Sequence, residues 1–391
     1  MPRVKCPRCT KVETVFKDGF IRGVQRYECK ACDYHFTLFK KKMLSTEQSK
    51  KNHQTTIIDI AKAGGISYST VSRALRDHPD ISEQTKNLVK QIAKEMDYQP
   101  NLIAQSLNSR ETHTLGVIIP DLENPFFASI LSGIQHRAAE SGYKVMICQS
   151  KESHKTEIEH VQTLMTNWID GLLICHSKET TSFDHIKLQL KKNIPIIHFD
   201  RVCEEVDTSK VVLDDVSGAE QVTQHLIDQG CKRIAIIAGP SHLFITKRRL
   251  KGYQNALESN KISINEDIVI YTDFSKTSIH ESLDKLLSAN SKPDAIFCIS
   301  DSSAIHTMMY LKSKGIKIPH DISVAGFGND HIGEVIEPAL TSYNLHSVKV
   351  GETAVKLFFD KLINGKDSIS KTKTIKGELI VRSSTLKIKN V

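Results

Sequence analysis

The chain has 391 residues, 39% of them hydrophobic and 25% charged, which is typical of soluble globular proteins and sufficient for two or three domains. Its apolar runs all fall short of the roughly 18 residues that span a bilayer, and its first residues lack a signal-peptide core, so we expect a cytoplasmic protein without a membrane partner. The formal charge is +8, and residues 1–54 alone carry a net +8, whereas residues 111–391 carry −1. This asymmetry favours polyanion binding by the N-terminal part.

Four cysteines form two CxxC pairs near the start of the chain, separated by 19 residues: Cys6, Cys9, Cys29 and Cys32. Four thiolates at this spacing predict a tetrahedral structural zinc site, because metal ligation would supply the folding energy that so short a segment lacks. The residues between the pairs alternate as in a β-hairpin. A redox CxxC would instead need a single motif in a βαβ context. We therefore predict a zinc ribbon over residues 1–37.

Residues 23–36 resemble the zinc-ribbon segment at the start of some insertion-sequence transposases. In that setting the ribbon is thought to help hold DNA, and a protein-interaction or purely structural role stays open here. Residues 38–54 follow as a basic linker, whose lysines could add phosphate contacts.

Residues 56–75 predict two short helices joined by a tight turn. Thr56 can cap the first helix with Asp59 at the capping-box position, and Gly64-Gly65 permits the turn. Ser67 can cap the second helix, whose polar side chains include Tyr68, Ser69, Thr70 and Arg73. This pattern predicts a helix-turn-helix with a base-reading second helix, inside a DNA-binding domain over residues 55–100.

A third and a fourth helix are predicted after residue 80. Ser82 can cap the third, in which apolar residues recur at helical spacing and should pack on the first two helices: Val89, Ile92, Ala93 and Met96. Pro100 and a capping Asn101 then begin a short segment over residues 101–110. A helix of about two turns is marginal in water.

Asp59-Ile-Ala, Ser67 with Thr70-Val-Ser-Arg73, and the run from Tyr98 to Leu107 together resemble the lactose-repressor (LacI/GalR) family of bacterial regulators, over about 85% of the chain. The resemblance implies that the second helix reads base edges in the major groove through Tyr68, Ser69 and Arg73, with Thr70 on the same polar surface. It also implies a hinge helix that orders on operator DNA, with Asn101, Ala104 and Leu107 among its contacts. The residue matching Leu107 wedges into the minor groove, which kinks DNA.

From residue 115 onward, short apolar runs alternate with amphipathic stretches, which predicts doubly wound parallel sheets. The runs cover residues 115–119, 144–148, 171–175, 195–199, 233–237, 295–299 and 323–327. About 275 residues are too many for one such sheet, so residues 111–391 should form two α/β subdomains with a ligand cleft at the carboxyl ends of the strands. This agrees with the family, whose body is a periplasmic-binding-protein-like effector and dimerisation domain.

The resemblance also assigns residues to that cleft. It implies that Phe126 and Phe127 line the cleft, that Phe274 is an aromatic platform, and that polar contacts come from Asp200, Arg249 and Asp301. Aromatic faces with a few polar groups suit a sugar or a nucleoside. Three alternatives stay open: the paired phenylalanines could be plain core, Asp200-Arg201 could be a structural ion pair, and Arg248 could point inward instead of Arg249.

The chain departs from the family at several pocket positions, and one of them bears on the choice of ligand. Gly328 stands where the family often has a carboxylate, which argues against a direct transfer of sugar specificity unless the following Asn329 takes its place. Outside the cleft, we expect His154 and His160 on a solvated helix face and Trp168, the only tryptophan, in the core. The five cysteines beyond residue 33 are expected to be small buried side chains.

Taken together, the sequence predicts a transcriptional repressor that binds near-palindromic operator DNA at the nucleoid as a homodimer and responds to a small-molecule effector. No enzyme is predicted, because the chain has no nucleophile elbow, Walker loop or HExxH pattern. Two alternatives are weighed against this. A solute-binding protein would need an export signal and no reading head, and a nuclease or transposase of mobile-element origin would need clustered metal-binding carboxylates in the body.

Overall fold

The structure, a computed structural model, describes residues 4–21, 24–37, 55–99, 112–288, 292–365 and 369–386. The chain consists of two compact units, residues 1–101 and 102–391. The linker predicted at residues 38–54 lies outside the described residues. So does the predicted hinge at residues 101–110, with its candidate contacts Asn101, Ala104 and Leu107.

The first unit begins with a three-stranded antiparallel sheet in the order β1-β2-β3, with strands Val15–Ile21, Val24–Cys29 and Tyr34–Thr37. Strands β1 and β2 form the hairpin that the sequence predicts between the cysteine pairs. The core of this sheet is small: Cys6, Cys29 and Phe36 are buried, and Tyr27 stacks on Phe36 at 5.8 Å between ring centroids. A core of this size needs a covalent or metal staple to be stable.

Three helices follow in the same unit: α1 (Ile57–Gly64), α2 (Tyr68–Leu75) and α3 (Glu83–Glu95). The predicted caps are present. Thr56 and Asp59 form a capping box, and the hydroxyls of Ser67 and Ser82 accept hydrogen bonds from backbone N–H groups three residues later, at 3.1 and 3.3 Å. Gly65 ends α1 with φ at +63°. This left-handed backbone conformation is energetically unfavourable for any residue that has a Cβ atom.

The three helices enclose one apolar core. Ile60, Val71, Ala74 and Val89 are fully buried in it. The four α3-region residues predicted to face α1 and α2 all belong to this cluster: Val89, Ile92, Ala93 and Met96. The helix-turn-helix arrangement is therefore fixed by local caps and by this shared core.

The second unit contains two six-stranded sheets within its described residues. In chain order the strands are β4 (Thr114–Ile119), β5 (Lys144–Gln149), β6 (Gly171–Ile174), β7 (Ile196–Phe199), β8 (Ser209–Leu213), β9 (Ile234–Ala238), β10 (Val269–Tyr271), β11 (Ala295–Cys298), β12 (Ser323–Gly328), β13 (Thr341–Asn344), β14 (Thr372–Ile375) and β15 (Glu378–Ile380). The first sheet has the order β14-β8-β7-β6-β4-β5 and the second β10-β9-β11-β12-β13-β15. All pairs are parallel except β13 with β15.

Helices cover both sheets. They are α4 (Pro125–Glu140), α5 (His154–Thr166), α6 (Asp184–Leu190), α7 (Asp215–Asp228), α8 (Phe244–Ser259), α9 (Lys276–Ser288), α10 (Asp301–Ser313), α11 (Ile332–Val335) and α12 (Ser347–Asn364). Helix α12 returns to the first sheet and packs against α4. The two backbones meet closely, because a Cβ atom on Gly133 or Gly351 would overlap a carbonyl oxygen of the other helix. No helix of the described residues is long and apolar enough to cross a membrane.

The chain passes three times between the sheets, after β8, after β13 and between β14 and β15. This confirms the predicted body of two α/β subdomains, and each of the seven predicted apolar runs overlaps a strand. The position predicted for Trp168 is wrong: its side chain is 67% exposed in a turn after α5, where φ is +56°. The predicted burial of the five later cysteines holds for Cys175, Cys203, Cys231 and Cys298, whereas Cys148 is half-buried.

Candidate nucleic-acid interface and ligand cavity

Helix α2 presents the side chains predicted to read DNA. Tyr68 is 65% exposed and Arg73 is exposed, and within the described residues Arg73 forms no ion pair. Ser69 and Thr70 are half-buried, and their hydroxyls each lie 2.8 Å from the Ser67 hydroxyl. Ser69 and Arg73 are one helical turn apart and so share a face. Base contact by these four residues stays a prediction.

The four predicted zinc ligands lie together. The sulfur atoms of Cys6 and Cys32 are 3.7 Å apart, those of Cys9 and Cys29 are 3.5 Å apart, and all four lie within 4.8 Å of one another. A tetrahedral zinc ion with bonds of about 2.3 Å needs sulfur atoms about 3.8 Å apart, so the residues fit the ion.

The pKa values of these thiols also favour a bound cation. A hydrogen bond with Thr14 lowers the pKa of Cys29 to about 6, whereas burial and the neighbouring sulfurs raise the pKa of Cys32 to about 12. The set can become fully ionised only if a cation balances the charge, as a bound metal does. Zinc binding itself stays a prediction.

A cavity of about 400 Å³ lies between the two subdomains at the carboxyl ends of their strands. All six residues predicted to contact an effector are in its lining: Phe126, Phe127, Asp200, Arg249, Phe274 and Asp301. Phe126 and Phe127 begin α4, where Asn124 caps the helix through the N–H of Phe126 at 3.1 Å. Phe127 is 2% exposed and belongs to the core cluster as well, so the structure combines the two roles considered for it.

Arg201 lies between two aromatic rings of the cavity. Its guanidinium carbon is 5.7 Å from the ring centre of Phe127 and 5.7 Å from that of Phe274. Its Nη1 donates a hydrogen bond to Glu152 at 2.6 Å, so the ion pair of Arg201 in the described structure is with Glu152 and not with Asp200. The predicted aromatic platform therefore has a cation over it.

Asp200 is a buried acidic residue of the cavity lining. It is 2% exposed, and it follows β7 in a left-handed conformation with φ +58°. Its Oδ2 accepts a hydrogen bond from the Cys175 thiol at 3.7 Å, while its Oδ1 has no partner among the described residues. Burial raises the pKa of Asp200. A ligand hydroxyl or amine placed here would satisfy Oδ1.

Arg249, and not Arg248, points inward. It is 3% exposed, its Nε donates to Asp215 at 2.8 Å, and its Nη1 donates to the carbonyl of Ile299 at 2.6 Å. Its guanidinium carbon lies 4.3 Å from the ring centre of Phe327. Burial raises the pKa of Asp215 to about 6, and the charge of Arg249 opposes that rise. Arg249 thus holds the cavity wall together as well as lining it.

Asp301 organises the opposite wall. One carboxylate oxygen accepts a hydrogen bond from the Ser342 hydroxyl at 2.6 Å, and the other accepts from the backbone N–H of Asp330 at 2.7 Å. Burial raises its pKa to about 6. Asn329 also lines the cavity, but its Oδ1 accepts a hydrogen bond from Arg382 at 2.8 Å.

Two contacts across the mouth of the cavity have no counterpart in the sequence patterns. Lys178, next to the first sheet, donates from Nζ to the carbonyl of Asp273 at 2.8 Å, and His242 donates from Nε2 to the carbonyl of Lys178 at 2.7 Å. Both partners belong to the second subdomain. Because the partners are 95 and 64 residues apart, no local periodicity signals these contacts.

Comparison with known proteins identifies families and relatives that share this architecture. The family model "Bacterial regulatory proteins, lacI family" matches residues 56–101, and "Periplasmic binding proteins and sugar binding domain of LacI family" matches residues 112–381. The chain is 32% identical over 333 residues to the HTH-type transcriptional regulator DegA of Bacillus subtilis (strain 168), covering 85% of this chain and 98% of DegA. It is 31% identical to the HTH-type transcriptional repressor CytR of Escherichia coli (strain K12), covering 86% and 98%.

A similar solved structure is the complex of the transcriptional regulator CelR with cellobiose. The TM-score is 0.64 and the identity 26%, over 84% of this chain and 99% of that one. The two family models together include the helix-turn-helix and the residues that line the cavity, and neither of them covers the cysteine-rich sheet.

Proposed function

The chain belongs to the LacI family of bacterial regulatory proteins, and on this premise we propose that it is a repressor whose hold on operator DNA is released or strengthened by a polar, ring-shaped small molecule. It is a sequence-specific DNA-binding transcriptional regulator controlled by an effector. The observation that carries the proposal is the joint presence, in one chain, of an exposed reading helix and an enclosed cavity between two subdomains. Repression is the activity named for the relative CytR.

The DNA contacts follow from the exposed face of α2. Arg73 and Tyr68 extend into solvent and can reach base edges, whereas the hydroxyls of Ser69 and Thr70 can exchange their bond to Ser67 for a bond to DNA. Asn101, Ala104 and Leu107 are the proposed minor-groove contacts, by resemblance to the family. A pair of such hinges would insert at the operator centre.

The effector is proposed to be a sugar or a nucleoside. The cavity combines ring faces, contributed by Phe126 and Phe274, with the free carboxylate oxygen of Asp200 and the guanidinium of Arg201. A compound with a flat face and several hydroxyls satisfies both kinds of wall. The CelR relative, bound to the sugar cellobiose, supports this class of ligand.

We propose a homodimer acting in the cytoplasm. Strand β5 is an edge strand of the first sheet, and it exposes Met146 and Ile147 at 38% and 37%. Met309 on α10 is 58% exposed in the second subdomain. A two-fold interface over both subdomains would cover these side chains and give the protein the symmetry of a near-palindromic operator.

For the N-terminal sheet we propose one structural zinc ion held by Cys6, Cys9, Cys29 and Cys32. The ion would supply the folding energy that the three buried side chains of this sheet do not supply. The sheet then carries exposed cations and rings, such as Lys30 with Phe16, that could enlarge the DNA footprint.

The test is selection of random duplex DNA by the full-length, zinc-loaded protein. We expect a two-fold-symmetric motif with a flexible central step, and preferences in the flanks where the N-terminal sheet contacts DNA. A folded protein that enriches no motif, with or without cell extract as a source of effector, would refute the proposal. Arg73→Ala should lose the motif, and an unchanged sequence preference in that variant would refute the role given to α2.

A further inference from the structure

A cluster of histidines around one glutamate lies in the first subdomain, outside the cavity. His176 Nδ1 lies 2.8 Å and His185 Nε2 lies 2.9 Å from the same oxygen, Oε1 of Glu157. Nδ1 of His198 lies 3.3 Å from Nε2 of His176, the ring nitrogen that does not contact Glu157. The ring of His154 packs on that of His185, at 5.4 Å between ring centroids. His154 is half-buried and its Nε2 is buried without a partner among the described residues, so the solvated position predicted for it is wrong.

The glutamate is fully buried, and both of its carboxylate oxygens have polar partners. Glu157 has no exposed surface, and its second oxygen, Oε2, accepts hydrogen bonds from the backbone N–H and hydroxyl of Ser177 and from the hydroxyl of Thr180, at 2.7, 2.6 and 2.9 Å. Three hydrogen bonds therefore hold Oε2 in place, whereas the partners of Oε1 among the described residues are two imidazole nitrogens.

The tautomer of His176 follows from its second contact. His198 Nδ1 accepts a hydrogen bond from the backbone N–H of Cys203 at 3.2 Å, so this nitrogen carries a lone pair. His176 Nε2 lies 3.3 Å from the same nitrogen and must be the donor. His176 is thus oriented by an N–H bond at Nε2 and presents Nδ1 to Glu157. An outer hydrogen bond that fixes one ring nitrogen and leaves the other for a metal is typical of histidine ligands.

We propose that Glu157, His176 and His185 form a binding site for a divalent transition-metal ion of the zinc type. The site is distinct from the four-cysteine site. Two imidazoles and one carboxylate are a common zinc ligand set, with a fourth position left for water. The ion binds the lone pairs of His176 Nδ1, His185 Nε2 and Glu157 Oε1, and protons shared between these atoms pass to solvent.

The distances allow this exchange with small movements. Zinc bonds of about 2.0–2.1 Å in tetrahedral geometry place ligand atoms about 3.4 Å apart. The two nitrogen-to-Oε1 distances must therefore widen by about 0.5 Å, which requires a small rotation of the His176 ring and of the His185 ring. Glu157 does not need to move, because Oε2 keeps its three donors.

The site is linked to the cavity by three consecutive residues. The carbonyl of His176 lies 3.4 Å from Nη1 of Arg201, Ser177 binds Glu157, and Lys178 reaches across the cavity mouth to Asp273. Metal binding at His176 would therefore act on the same loop that closes the cavity. The proposal does not depend on DNA binding, and it is tested by measuring metal binding in the absence of DNA.

The experiment measures cobalt binding by the full-length protein after its native metal has been removed. Co²⁺ in a four-cysteine site gives intense thiolate charge-transfer bands, whereas Co²⁺ bound by histidine and carboxylate gives only visible d–d bands. We expect two equivalents per chain in the wild type, one of each signature. Cys29→Ser with Cys32→Ser should keep only the second signature.

Two substitutions separate ligation from hydrogen bonding. In His185→Gln the amide nitrogen can replace Nε2 as the donor to Glu157, and in His176→Asn it can replace Nδ1, so both remove a ligand and keep the bond. Each should lose the d–d signature and bind one equivalent less, with an unchanged circular dichroism spectrum. His160→Gln is the matched control on the same helix as Glu157. Among the described residues His160 bonds to the Gln149 carbonyl alone, at 3.0 Å, so this variant should bind both equivalents.

The wild type decides the matter even if a substituted protein fails to fold. Binding of a single equivalent with the thiolate signature would overturn the proposal. A second equivalent that persists in both His185→Gln and His176→Asn would also overturn it, because the ion would then be bound elsewhere.

Discussion

Replacement of Arg249 by methionine tests how the cavity wall is held. Methionine has a similar length and no charge, so it fills the space but leaves the carboxylate of Asp215, 1% exposed, without its counter-ion. Removing one partner of a buried ion pair costs about 3–5 kcal/mol, and we expect a loss of that size near neutral pH. Such a loss would show that the main role of Arg249 is to stabilise the cavity wall, and that contact with the effector is its secondary role.

The loss of stability in Arg249→Met should depend on pH through the ionisation of Asp215. The pKa of Asp215 is about 6 in the folded protein and about 3.9 in an unfolded chain. A carboxyl with a raised folded pKa makes the fold less stable as pH rises through that window, by about 3 kcal/mol over two units. Without Arg249 the folded pKa lies above 6, so the decline continues into the neutral range. The stability difference between Arg249→Met and the parent should therefore be small near pH 5 and grow towards pH 7.5.

Urea unfolding followed by circular dichroism at the two pH values measures the effect. Arg249→Met with Asp215→Asn should recover most of the loss, because no buried charge is left unpaired. The matched control is Arg248→Met: this neighbour is half-buried over the Phe244 ring at 5.3 Å and should change stability by less than about 0.5 kcal/mol. Equal losses at both pH values, or no recovery in the double variant, would refute the structural role of Arg249.

Three further outcomes follow from the same contacts. Arg73→Ala should abolish operator binding in a gel-shift assay while the melting temperature stays unchanged, because its side chain is exposed; a lower melting temperature would contradict this. Gly65→Ala should destabilise the helix-turn-helix by about 1 kcal/mol in thermal unfolding, since φ is +63° there, and no change would show that α1 ends differently. Lys178→Ala should weaken binding of an identified effector a few-fold, with a salt-sensitive difference from wild type, because its bond to Asp273 crosses the cavity mouth; equal affinities at low salt would argue against a closing role.

Local chemistry explains why the helix-turn-helix could be predicted. The caps at Thr56, Ser67 and Ser82 act within three residues, so their pattern is legible in the sequence. Strand β4 could be predicted because both of its faces are buried, so its sequence is a continuous apolar run. Strands β14 and β15 could not, since their side chains are largely exposed and they exist only because β8 and β13 offer them an edge.

The cavity shows a different limit. Its six residues were assigned by resemblance to the family. A resemblance indicates which residues line the cavity, but it does not indicate which residues they bond to. Pairing of Arg201 with Glu152, and of Arg249 with Asp215, depends on side-chain directions across 49 and 34 residues. The histidine cluster had no sequence signal at all, because Glu157, His176 and His185 come from a helix, a strand end and a second helix.

The arrangement of charges around the cavity explains how an effector can act on DNA binding at all. Oδ1 of Asp200 and Nε of Arg201 are buried without a partner among the described residues, and each such atom costs about 1–3 kcal/mol. An effector that bonds to them recovers this free energy, and it also touches Phe274 and Arg249 of the other subdomain only when the two subdomains are close. The differential stabilisation is of the order of the 1–3 kcal/mol that couples two sites in allosteric proteins. A ligand that bonded to one subdomain alone would bind without favouring either arrangement and so could not regulate the operator.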